Sequence, residues 1–303
     1  MTAVRFTKGH GTENDFVLIP DLDGGLDLTV GDVRFLTDRR AGLGGDGVIR
    51  VVPTALATEP AVRGQSGEAA WFMDYRNADG SLAEMCGNGT RVFAAFLRRE
   101  GLEQSDDFAI ATRAGVRTVR VTGEQYAVDL GEWAVVDPVG ARERGFDATV
   151  RARHGVELPA LRLDLGNPHT VVILPPEIDL AELDLAVPPA VSPTPEHGTN
   201  VEFVRAIGQG HIGMRVHERG VGETRSCGTG AAAAALATRW WEGEAPDNVD
   251  WVVDVPGGRL TVRALPGQHV ELAGPAVLVA DGTVHLPSTA VVSAGPPQPS
   301  RRR

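Results

Sequence analysis

Short apolar runs broken by Gly, Asn, Asp and Pro dominate this chain, the pattern of half-buried strands separated by turns. It predicts strands over 5–7, 16–19, 48–52, 71–75, 108–112, 116–121 and 125–130. A second series falls over 161–165, 171–174, 201–206, 213–217, 251–255, 260–264, 269–272 and 276–280. Helical spacing is confined to 32–39, 88–99 and 229–241. In 88–99, Val92, Phe93, Phe96 and Leu97 share one face, and Glu100-Gly101 supplies the stop. The stretch 229–241 is Ala-rich on every side. A helix without a polar face belongs in the interior, with a sheet wrapped closely round it. Residues 53–67 read as an exposed loop, and the Pro-rich 295–300 as a disordered tail.

The two halves carry one order: strands, a Cys-Gly-x-Gly phrase, a central helix, more strands. The register extends upstream, since Asn77 lies nine residues before Cys86 and Glu218 nine before Cys227. Two similar half-molecules predict a pseudo-twofold arrangement with one cysteine from each, joined near 131–144.

At 303 residues the chain suits one large or two medium domains. A net charge of −11 argues against a nucleic-acid or anionic-membrane partner, and Arg301-Arg302-Arg303 reads as a solvated end. There is no apolar run long enough to cross a bilayer and no signal-peptide stretch at the start, so the cytoplasm is expected. Lys8 is the sole lysine, which excludes Schiff-base chemistry on any other. Neither a zinc-type Cys/His spacing nor a Walker loop occurs, so metal and nucleotide cofactors are not expected. Gly42 to Gly47 mimics a dinucleotide loop but runs into a strand, which leaves a substrate-side loop or a plain turn.

The chemistry rests on the only two cysteines, Cys86 and Cys227, each opening a helix. The helix dipole and free N–H groups there favour the thiolate, which predicts depressed thiol pKa values. One thiolate could remove a proton and the other thiol return one. The N–H groups of Gly87, Asn88, Gly228 and Thr229 could bind a carboxylate at paired helix N-termini. The bland alternatives are packing cysteines or a disulfide. A disulfide does not suit a cytosolic chain of this size, and packing cysteines need no shared glycine-rich phrase. Gly166-Asn167-Pro168-His169 and His217-Glu218-Arg219-Gly220 are, by themselves, ordinary turns.

Taken together and in order, these phrases resemble the diaminopimelate epimerase family. The resemblance is carried by Gly11 to Phe16, Tyr75 to Ser81, Met85 to Arg91, Gly166 to His169, Asn200 to Phe203, Glu218 to Gly220 and Ser226 to Gly230. It implies an α+β fold of two similar domains, each a curled, mostly antiparallel β-sheet around a central helix. The first would span 1–132 plus 275–290 and carry Cys86. The second would span 133–274 and carry Cys227, leaving 291–303 as a tail. It also implies cofactor-independent, two-base epimerisation of LL- to meso-diaminopimelate, on the route to lysine and peptidoglycan, in a homodimer. By position, Cys86 and Cys227 would be the acid/base pair, with His169 assisting Cys86 and Glu218 assisting Cys227. Asn14, Asn77, Asn167, Asn200, Glu218 and Arg219 would grip the substrate, and Gly87, Asn88, Gly228 and Thr229 would hold the reacting carboxylate. Two positions depart from the family: Gly47 stands where many members have Gln, and Thr229 where Ser is also frequent.

Competing readings are a proline racemase-like enzyme, which usually has His where this chain has Asn88, a thiol redox or sensor protein, and a non-catalytic binding relic.

Overall fold

The structure, a computed structural model, describes residues 2–151, 155–243 and 249–287. The first half builds β1 (Thr2–Gly11), β2 (Asn14–Pro20), α1 (Val30–Thr37), β3 (Gly47–Pro53), α2 (Pro60–Arg63), β4 (Trp71–Asn77), α3 (Gly87–Arg99), β5 (Asp107–Thr112), β6 (Gly115–Thr122) and β7 (Gln125–Glu132). After it come β8 (Ala134–Val135), α4 (Pro138–Arg144), β9 (Ala148–Arg151), β10 (Glu157–Asp164), β11 (Pro168–Ile173), β12 (Ala190–Ser192), β13 (Asn200–Gly208), β14 (His211–Glu218) and β15 (Gly222–Thr224). The chain continues through α5 (Gly228–Trp241), β16 (Asp250–Val255), β17 (Gly258–Leu265), β18 (His269–Pro275) and β19 (Val277–Leu286). Among the described residues no helix is long and apolar enough to cross a membrane.

The repeat read from the sequence reappears as a repeat of sheet topology. In the first half β1–β2 is antiparallel, β2–β3 parallel, β3–β4 antiparallel, β4–β5 parallel, and β5–β6 and β6–β7 antiparallel. The series β10, β11, β13, β14, β16, β17, β18 repeats those six pairings in the same order. Each cysteine and its helix fall between the fourth and fifth strands of a series. The series join through antiparallel β7–β18, while β19 returns to pair with β1. This is the expected α+β fold.

Both central helices are buried, for different reasons. Val92, Phe93, Phe96 and Leu97 of α3 sit in the core, while Arg98 and Arg99 close its last turn outside. In α5 the buried run continues unbroken from Gly230 to Thr238, so sheet closes on all sides of an alanine rod.

The structure corrects the expected loop at 53–67. A 3-10 turn at Thr54–Leu56 and α2 occupy it, and Ala57 and Val62 pack with Val52, Phe72 and Ala111. These apolar residues have no regular spacing, so nothing in the pattern separates them from an exposed loop. The junction at 131–144 holds α4, capped by Asp137, whose Oδ1 accepts the Gly140 N–H at 2.9 Å. The short strands β8, β9, β12 and β15 were also not expected; at two to four residues they show no alternation to read. The expected tail at 291–303 lies outside the described residues.

Candidate active site

Each cysteine caps its helix with its own sulfur. Cys86 sits at φ −143°, ψ 117°, and its Sγ accepts the Gly89 N–H at 3.4 Å. Cys227 repeats this at φ −114°, ψ 116°, with the Gly230 N–H at 3.3 Å. The other first-turn N–H groups of a helix have no partner inside the helix, so each cysteine stands beside free donors and a positive dipole end.

The two helix ends meet. A Cβ on Gly87 would come within 3.2 Å of Leu272, and one on Gly228 within 2.9 Å of the same leucine and 3.2 Å of Asn88 Oδ1. Glycine at both positions therefore lets the N-termini close on one another. Asn88 Nδ2 reaches across to Ser226 O at 3.1 Å and Ser226 Oγ at 3.3 Å, and also to Asn14 Oδ1 at 3.2 Å. Thr12 Oγ1 lies 2.6 Å from Ser226 Oγ. Thr12 and Glu13 form the turn between β1 and β2 at φ 50° and 63°. A β-branched residue at positive φ is strained. The turn is held by Ser226, by the Arg225–Glu13 ion pair and by Gly257, where no Cβ would fit.

Around the sulfurs the partners differ. Cys86 Sγ donates to Asn14 Oδ1 at 3.7 Å. Cys227 Sγ lies 3.6 Å from Thr229 Oγ1, which accepts from Asn167 Nδ2 at 3.3 Å. Asn167 Oδ1 faces His169 Nε2 at 3.1 Å, and His169 Nδ1 faces Glu202 Oε1 at 2.7 Å. Hydrogen bonds thus connect buried His169 to the partners of Cys227. Glu218 accepts from the Thr224 hydroxyl, and its charge acts on both thiols. Asn200 Oδ1 takes the Arg219 backbone N–H at 2.9 Å, and the exposed Arg219 side chain reaches His197 O at 3.2 Å. Asn77 Nδ2 donates to Ser81 Oγ at 3.0 Å. Gly47 pairs with Asn77, and a Cβ there would strike the Tyr75 ring at 2.5 Å. In this chain the aromatic ring fills the space beside position 47.

The expected depression of the thiol pKa values is overturned. Burial pushes Cys86 up to about 11, with Glu218 adding to it and the Gly89 and Asn88 N–H groups and Arg91 opposing. Burial also pushes Cys227 well above the usual thiol value, and Glu218 and Glu202 both add to that. The dipole and N–H groups act in the expected direction, but desolvation and nearby carboxylates outweigh them. Burial likewise raises Glu202 and Glu218.

Sequence reasoning missed four site residues. Glu202 is fully buried, and its Oε2 has no partner among the described residues. A signal existed: Glu202 interrupts the apolar run Val201 to Val204, and strand alternation turns it away from Val201 and Phe203. Thr12, Ser226 and Arg91 carry no comparable signal, because their roles depend on contacts between distant segments.

The sequence profile of the family described as diaminopimelate epimerase matches residues 6–136 and 162–279. The chain belongs to the diaminopimelate epimerase family. Membership makes it an isomerase of the epimerase kind. It is 48% identical over 287 residues to the diaminopimelate epimerase of Streptomyces coelicolor, covering 93% of this chain and 95% of that one. Identity to the Thermobifida fusca diaminopimelate epimerase is 47% over 291 residues, covering 93% and 98%. Among solved structures, a PhzF-family phenazine biosynthesis protein of Bacillus anthracis superposes with a TM-score of 0.67 at 16% identity, covering 94% of this chain and 100% of that one. A probable proline racemase of Agrobacterium radiobacter gives 0.65 at 16%, covering 95% and 94%. At such identities these two show a shared fold and nothing finer.

Proposed function

We propose that this family member epimerises LL-2,6-diaminopimelate to meso-diaminopimelate by a cofactor-independent two-base route, with Cys86 and Cys227 as the proton-transfer pair. The observation that carries the reading is the convergence of two cysteine-capped helix N-termini on Leu272 and Asn88. One thiolate takes the α-proton from one face, and the opposite thiol protonates the other. The charge that develops on the α-carboxylate falls to the N–H groups of Gly87, Asn88, Gly228 and Thr229, donors aimed in advance at the place where charge appears. Both thiols sit above neutral pH in the folded chain, so ionisation needs added positive charge. The α-ammonium of an amino acid seated between the sulfurs supplies it.

In this reading Asn14, Asn77, Asn167, Asn200, Glu218 and Arg219 hold the distal amino and carboxylate groups. Arg suits a carboxylate, and Asn can serve either group. His169 and Glu218 set the protonation of the thiols. The hydrogen-bond chain through Asn167 and Thr229 supports a role for His169 at Cys227 beside the one expected at Cys86. We assign the same two domains, 1–132 with 275–290 and 133–274, a homodimer, and a cytoplasmic place in lysine and peptidoglycan precursor synthesis.

The test is α-proton exchange. Reduced protein is incubated in D2O with LL-diaminopimelate, and with proline in parallel, and followed by NMR and chiral chromatography. Deuterium uptake with meso product, and none with proline, is expected. Absence of exchange with either substrate, in protein with two titratable thiols, sinks the assignment.

A further inference from the structure

We propose that Arg91 is the buried counter-charge of the Cys86 thiolate, so that Cys86 ionises before Cys227. The proposal rests on the two-thiol reading and says how the pair is made unequal.

Arg91 lies in α3, five residues after Cys86, and is fully buried. Its guanidinium has little to answer its charge. Nη2 donates to Thr12 Oγ1 at 3.2 Å, Nε reaches Pro275 O at 3.4 Å, and Nη1 has no partner among the described residues. It makes no ion pair with a carboxylate among those residues, unlike buried Arg50, which holds Asp21 and Asp74 at 3.0 Å each. A cation taken out of water with neutral partners alone is costly, and proteins place an anion within its field. Burial opposes the Arg91 cation; among the described residues the one titratable group that favours it is Cys86, and Arg91 in turn favours the Cys86 anion. The guanidinium packs under the first turn: a Cβ on Gly11 would meet Arg91 Nη2 at 2.9 Å and Asn88 O at 3.0 Å.

At the matching position the second half has no such cation. The residue five after Cys227 is Ala232. The charged groups that act most on Cys227 are the carboxyls of Glu218 from β14 and Glu202 from β13. Those that face Cys86 are Glu218, the Tyr75 phenol from β4, and Arg91 itself. Two copies of one capping motif thus have a cation behind one sulfur and an extra carboxyl beside the other.

Arg91 also braces the strained Thr12-Glu13 turn, so the experiment must separate charge from bracing. Iodoacetamide labelling of the whole reduced protein, with each cysteine peptide quantified by mass spectrometry from neutral to alkaline pH, reads thiolate formation without turnover. Midpoints are compared because access scales a rate without moving its midpoint. In the native chain Cys86 should titrate below Cys227. In R91M the Cys86:Cys227 labelling ratio at fixed pH below both midpoints should fall about ten-fold, the effect of one pH unit. R91K should restore most of it. T12V, which removes the Nη2 hydrogen bond and keeps the charge, should leave the ratio unchanged.

The proposal is overturned if the two thiols share a midpoint in the native chain, if folded R91M keeps the native ratio, or if T12V lowers the ratio as R91M does. Should R91M fail to fold, the native midpoints and T12V still decide. Loss of α-proton exchange with the labelling order intact counts against the epimerase reading and leaves the ion pair standing.

Discussion

Cys86 caps an amphipathic helix with Arg91 buried behind it, whereas Cys227 caps an alanine helix with Glu202 buried beside it. The backbone at the two sites is nearly the same, down to the sulfur accepting the N–H three residues on. The side chains around them have diverged. A reaction that takes a proton from one face and returns one to the other needs two similarly placed groups in opposite protonation states. Under the proposed two-thiol reading, repetition of the fold accounts for the placement, and divergence of the surroundings for the inequality.

The harshest test of that comparison removes one sulfur at a time. C86A and C227A should each lower epimerisation by about 10²–10⁴-fold or more, the usual contribution of a positioned acid or base. Equal losses would mean that neither half works alone. Turnover near native in either mutant would leave a single-thiol mechanism and make the repeat a structural relic.

The next test compares the helices as packing units. Phe96 of α3 is 1% exposed and lies under the Arg99 guanidinium at 5.6 Å from its ring. F96A should cost about 3–5 kcal/mol, because the cavity it leaves closes only partly. Ala234 of α5 is fully buried with sheet close on every side, so A234L should cost about 1–3 kcal/mol by overpacking. Urea melts of the two variants measure both. If A234L proves neutral, the sheet around α5 is looser than its alanine content implies.

Those two helices also mark what the sequence made legible. The all-round alanine of α5 predicted burial on every side; the apolar stripe of α3 predicted Val92, Phe93, Phe96 and Leu97 in the core but not the burial of the whole run from Gly87 to Leu97. The cysteines were legible because a glycine-rich phrase occurs twice. The thiol pKa values were not legible: the dipole argument used the helix alone, while the outcome depends on burial and on Glu218 and Glu202, brought in from β14 and β13. Nor was Arg91. An arginine in the second turn of a helix reads as solvated until the fold shows Thr12 and Pro275 closing over it.

The finest test acts on one carboxyl. Glu202 is among the largest influences raising Cys227 and is not among the largest on Cys86, and it holds His169 through Oε1. E202Q keeps the size and the oxygen that faces His169 Nδ1 and removes the charge. A negative charge opposes a second one nearby, so removing it eases ionisation. The Cys227 midpoint should therefore fall by about one pH unit, or about 1.4 kcal/mol, while that of Cys86 stays in place. The same cysteine-resolved labelling reads both in one sample. Since burial also pushes Glu202 up, an unmoved Cys227 would mean that Glu202 stays protonated across the titration. The inequality of the thiols would then rest on Arg91 and on the difference in burial.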